Sequence, residues 1–156
     1  MSIKALKDQY SSLGAAVHFE ERLYLYSAST MQNEGFMGAS QRIVLYGADS
    51  MAHQRGACLA GPVVNLYAKH AVHLGSRGNL SSPMKMYTPW RLSIKATHLW
   101  VGDIEFLVDP VIASIACDKI TFCQTAEEEP EYVEKMTSWL KGDHTEVEKK
   151  HSQIDR

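Results

Sequence analysis

The side chains best suited to metal or nucleophilic chemistry are seven histidines and three cysteines in a chain of 156 residues. His70 and His73 stand three apart, so they share a face on a helix and diverge on a strand. A zinc site asks for three or four ligands, with cysteines about two to four residues apart. Cys117 and Cys123 are too widely spaced for that, and no metal site is expected. A Cys–His–acid set can be drawn from Cys58, His98 and Asp109, but nothing in their spacing singles it out. Asp103 and Glu105 follow a turn and are expected to face water rather than to work as an acid–base pair. The segment from Gly56 to Gly61 lacks the Lys-Ser/Thr of a phosphate-cradling loop. No catalytic residue and no cofactor is expected.

Charge carries more information than any of these motifs. The net charge of −2 hides a segregation. Residues 50–102 hold six cations (Arg55, Lys69, Arg77, Lys85, Arg91 and Lys95) and no acid, whereas residues 103–156 hold thirteen acids against six cations. A basic block without carboxylates raises the local potential and attracts phosphate, lipid head groups or an acidic protein face. Two outcomes are open: the acidic third folds onto the basic middle and cancels it, or the cations stay outward. An outward basic region on one copy and an acidic end on the next would give head-to-tail assembly. Phe36 and Met37, flanked by glycines between Thr30 and Ser40, are expected to form an apolar contact at the tip of a polar loop.

The elements that must hold these residues read as follows. Ile3, Leu6, Tyr10 and Leu13 repeat at helical steps from Ser2 to Gly14 and predict a short N-terminal helix. Alternation predicts strands from Val17 to Tyr26, over Arg42–Tyr46, and most clearly over Trp90–Val101. In that last strand Trp90, Leu92, Ile94, Ala96, His98 and Trp100 are expected to face the core. Gly102-Asp103 predicts a hairpin turn, with Ile104, Phe106 and Val108 returning antiparallel. Residues 62–74 fit a helix or a strand; Pro62 and Gly75 favour the helix, the valines the strand. Tyr132, Val133, Met136, Trp139 and Leu140 predict a C-terminal helix, with a capping box at Thr125–Glu128. No internal repeat is evident.

Together these readings predict an α+β fold: a mostly antiparallel sheet of about five or six strands with a short helix at each end. Residues 1–142 are expected to form one globular domain and 143–156 a polar tail. The start of the chain has no apolar signal core, and the cysteine count is odd, so we expect reduced thiols in the cytoplasm. The expected function is non-catalytic: a matrix-like or coat-like assembly protein. Arg55, Lys69, Arg77, Lys85, Arg91 and Lys95 would contact an anionic lipid surface, a nucleic-acid phosphate backbone without sequence reading, or the acidic end of a neighbouring subunit. We expect a homo-oligomer, or contact with another protein. The rival expectation is a small enzyme or ligand-binding domain with a pocket near Cys58, His70 or His98.

Overall fold

Each strand of this chain finds its partner about twenty residues away, not next door. The computed structural model describes residues 2–4, 12–13, 17–19, 21–78, 82–124, 128–142 and 144–151. Three strands make one turn of a coil, and each strand lies parallel to its counterpart in the next turn. The first turn has β1 (Ser2–Lys4), β2 (Ser12–Leu13) and β3 (Val17–Phe19); the second has β4 (Arg22–Ser27), β5 (Thr30–Asn33) and β6 (Phe36–Ala39). The third has β7 (Arg42–Gly47), β8 (Ser50–His53) and β9 (Cys58–Ala60); the fourth has β10 (Val63–Ala68), β11 (Ala71–Leu74) and β12 (Met84–Tyr87). In the fifth, β13 (Arg91–Val101) rounds a corner before β14 (Ile104–Val108), and in the sixth β15 (Ile112–Gln124) rounds the same corner.

This is a parallel β-solenoid with three walls. Wall 1 stacks β1, β4, β7, β10 and the first halves of β13 and β15. Wall 2 stacks β2, β5, β8, β11 and the second halves of β13 and β15. Wall 3 stacks β3, β6, β9, β12 and β14. Register makes Arg22, Arg42, Val63, Arg91 and Ile112 equivalent, at steps of 20, 21, 28 and 21 residues.

Inward positions carry like residues up each wall. Leu23, Ile43, Val64 and Leu92 form one buried column, Leu25, Leu45, Leu66, Ile94 and Ile115 the next, and Met31, Met51, Val72, Leu99 and Ile120 a third. Such columns bury apolar surface worth roughly 1.5–3 kcal/mol per side chain against exposure. Corners demand small residues. Gly75 has φ +69°, and a Cβ on Gly102 would collide with the Gly75 carbonyl of the turn beside it. The far end is closed by α1 (Glu131–Ser138), which buries Tyr132, Val133 and Met136 beside β14. Phe106 meets Trp139 edge-on at 5.2 Å. Leu140 then bridges Ile115, and β16 (Glu146–His151) adds a charged edge to β15, which blunts further strand addition.

Several expectations are corrected here. The sheet is parallel, not antiparallel, and the fold is not α+β with a helix at each end, because each strand pairs with the next turn of the coil. Residues 104–108 are no hairpin partner of 91–101: Gly102-Asp103 turns the chain onto wall 3, where β14 pairs β12. Residues 62–74 form β10 and β11, since Pro62 and Gly75 mark solenoid corners rather than helix ends. The loop expected over Thr30–Ser40 contains β5 and β6. Ser2–Lys4 and Ser12–Leu13 are strands; the rest of the predicted N-terminal helix lies outside the described residues, as does most of the capping box. The C-terminal helix is present as α1, and β16 forms within the stretch expected as a tail. No helix among the described residues is long and apolar enough to cross a membrane.

Candidate functional site

Wall 1 turns three columns of side chains outward. Burial alternates along β4 and β7, leaving the first, third and fifth residue of each strand facing away from the core. The first column reads Arg22, Arg42, Val63, Arg91 and Ile112; the second Tyr24, Val44, Asn65, Ser93 and Ser114; the third Tyr26, Tyr46, Tyr67, Lys95 and Ala116. None of these residues is acidic. Parallel pairing sets neighbouring members of a column about 4.8 Å apart. Arg22, Arg42, Arg91 and Lys95 are exposed. None of the four takes part in an ion pair among the described residues. The rings of Tyr26 and Tyr46 stack at 5.1 Å and 10°, so they present edges and hydroxyls rather than ring faces. Among the described residues, carboxylates stand at the margins: Glu21 at one corner, and Asp49, bonded to the His70 imidazole, and Asp118 at the other.

The six cations singled out in the sequence do not form one patch. Arg91 and Lys95 lie on wall 1. Lys69 lies at the corner between walls 1 and 2, where its carbonyl accepts a 2.8 Å bond from Thr97 Oγ1. Arg55 and Arg77 meet at the corner between walls 2 and 3: the Arg55 amide donates to the Arg77 carbonyl at 2.9 Å, and its guanidinium to the Gly78 carbonyl. Lys85 projects from β12 on wall 3. Arg22 and Arg42 were not singled out because they belong to residues 1–49, where five acids outnumber four cations. Arg22-Leu23-Tyr24-Leu25-Tyr26 and Arg42-Ile43-Val44-Leu45-Tyr46, twenty residues apart, are the signal that could have found them.

Among the described residues, the ion pairs made by the acidic third are with lysines of the same third and not with wall 1: Lys119–Glu148 at 3.0 Å, Lys135–Asp109 at 2.9 Å and Lys149–Glu129 at 3.1 Å. Lys135 also meets Glu131, one helical turn away, at 3.4 Å. Its ammonium is held charged above the usual lysine range, first by the Asp109 hydrogen bond. An open groove of about 580 Å³ on the outer side of α1 is lined by Glu129, Glu131, Glu134 and Lys149, among others.

The outward groups of wall 2 are occupied with one another. Trp100 stacks against His98 at 4.1 Å and His73 at 5.7 Å, and Lys150 lies 5.9 Å above its ring. His98 Nε2 is 2.7 Å from Thr121 Oγ1, and His73 Nδ1 is 2.9 Å from Ser76 Oγ. Burial, then the charges of Arg77 and His98, push the His73 imidazole down to about 4. His98 and Trp100 were expected in the core. Instead, β13 turns its corner at Thr97, which shifts the inward alternation from Ala96 to Leu99. Trp90, also expected inside, stands at a corner and is half-exposed.

Cys58, His70 and His98 sit on wall 3, at the corner of walls 1 and 2, and on wall 2, and do not converge. Burial raises the Cys58 thiol despite the nearby Lys85 ammonium, which disfavours the thiolate. Among the described residues no three His, Cys, Asp or Glu side chains are grouped as metal ligands would be. Phe36 and Met37 are neighbours on one strand and so face opposite ways: Phe36 is outward on wall 3, whereas Met37 is fully buried. Comparison with protein-family models, with curated proteins and with solved structures yields no match for this chain.

Proposed function

We propose that this chain is a non-catalytic structural protein, a matrix-like or coat-like adaptor that lays wall 1 against an anionic surface. The observation that carries this reading is the acid-free set of Arg22, Arg42, Arg91 and Lys95 on one flat, rigid sheet. Isolated like charges on a wall cost folding energy unless something outside uses them. A flat wall suits a surface rather than a small molecule, which needs a concave site. The stacked rings of Tyr26 and Tyr46 turn their edges rather than their faces outward, which favours contact with charge over base stacking. Three free thiols fit a reducing compartment, and we place the protein in the cytoplasm on that ground.

A Lys or Arg near an anionic membrane contributes about 1 kcal/mol. Four therefore give about 4 kcal/mol, a millimolar affinity for one copy, so the reading requires several copies acting together. Sedimentation with vesicles containing phosphatidylserine tests it. Wild type should bind at low salt, release as salt rises, and lose binding when Arg42→Glu and Arg91→Glu are combined. Failure of wild type to bind at low salt would remove the reading.

A further inference from the structure

The apolar surface of this molecule is concentrated in one place. Nine large apolar side chains are exposed among the described residues, and five of them, Tyr87, Trp90, Leu107, Val111 and Ile112, occupy adjoining positions from the fourth turn to the start of the sixth. Tyr87 and Leu107 project from wall 3; Trp90, Val111 and Ile112 follow at the corner leading to wall 1. Main-chain bonds fix this adjacency: the Val111 amide donates to the Pro89 carbonyl at 3.1 Å, and the Ile112 amide to the Trp90 carbonyl at 2.9 Å. Val111 is 70% exposed, Trp90 and Leu107 50% each. A contiguous apolar patch of this kind marks a contact surface.

We infer that the patch is covered by a second copy of this chain, related by a two-fold axis that runs along the strands between β12 and β14. The charge pattern selects that occupant. Lys85 and Glu105 are direct register partners on those two strands, both exposed, and neither takes part in an ion pair among the described residues. An isologous interface must be complementary to itself. Rotation about an axis between the two strands sets β12 of one copy over β14 of the other. Lys85 then faces the partner's Glu105 and Glu105 the partner's Lys85, while each Tyr87 packs on the partner's Leu107. A heterologous partner would have no need of a cation and an anion side by side at the centre of its site. The axis keeps the corner of Trp90 and Val111 on the same side in both copies, so the two cationic walls flank a single seam. The inference stands on wall 3 and does not depend on what wall 1 binds.

Sedimentation equilibrium over a wide concentration range tests it. Wild type should show a monomer–dimer equilibrium. Lys85→Glu and Glu105→Lys should each weaken association by about tenfold or more, since each places like charges across the seam. Mixing the two variants is decisive: the lysine-lacking copy and the glutamate-lacking copy form two opposite-charge pairs only with each other, so the mixture should dimerise where neither does alone. Trp90→Asp should weaken the dimer by about thirtyfold, as loss of an aromatic anchor does. All positions are exposed, and far-ultraviolet circular dichroism checks that each variant is folded. A wild type that stays monomeric at every concentration, or a mixture no better than its components, overturns the inference.

Discussion

Walls 1 and 2 are built from the same coil, yet their outer surfaces are spent differently. On wall 2, His98 bonds to Thr121, His73 to Ser76, Trp100 lies between two imidazoles, and Lys119 pairs with Glu148. On wall 1, three arginines and a lysine share a surface with no acid and no ion pair among the described residues. A wall whose polar groups satisfy one another contributes to the fold; a wall that leaves like charges unmatched contributes to contact. On the proposed reading, contact is made where electrostatic complementarity is missing.

The largest effect expected to sharpen this contrast is on stability in acid. His53 ends the inward side of wall 2, accepts a 3.2 Å bond from Asn33 Nδ2 through Nδ1, and has a buried Nε2 without a partner. Burial lowers its imidazole from 6.5 to about 4. The unfolded chain therefore binds the proton more readily than the folded one. Stability is full above the unfolded value and falls as pH drops from 6.5 to about 4. The loss for this one residue is about 3 kcal/mol. His73 shifts in the same sense. Urea unfolding across that range should show the loss, and His53→Leu should remove this residue's share of it.

A smaller change follows from Trp100→Ala, which removes a half-buried ring and two stacking partners at a cost of about 2 kcal/mol. It should lower the urea midpoint without altering binding to anionic vesicles. Smallest of all is the stability effect of Arg42→Glu with Arg91→Glu, expected within about 0.5 kcal/mol because both side chains are exposed and unpaired. A large destabilisation there would mean that wall 1 is structural too, and the contrast would fail.

Much of the interior was legible from alternation alone. Leu23, Leu25, Ile43, Leu45, Leu92 and Ile94 were readable as strand residues, and the stripe of Tyr132, Val133 and Met136 as a helix. The pairing was not, because alternation says which side a residue takes and nothing about whether its partner strand is parallel or antiparallel. Pro62 and Gly75 mimic helix ends, and Gly102-Asp103 mimics a hairpin, since corners and caps ask the same backbone freedom of the chain. The repeat was present at Arg22–Tyr26 and Arg42–Tyr46. It fades in Val63–Tyr67, which keeps the inward Leu and outward Tyr but not the Arg, and the longer step to Arg91 stretches the period. Of the candidate wall, the charge pattern singled out Arg91 and Lys95. Their union with Arg22 and Arg42 needed the coil.

The central claim is that the wall-1 cations, not the chain's cations in general, meet the anionic partner. The most direct measurement compares the salt dependence of heparin or vesicle binding for two neutral double variants, Arg42→Ala with Arg91→Ala, and Lys69→Ala with Arg77→Ala. Each pair removes two exposed positive charges, so net charge changes equally. The account predicts that the first pair weakens binding and flattens its salt slope by about two counterions while the second leaves both near wild type. Equal losses from the two pairs, or a greater loss from Lys69 and Arg77, would contradict it.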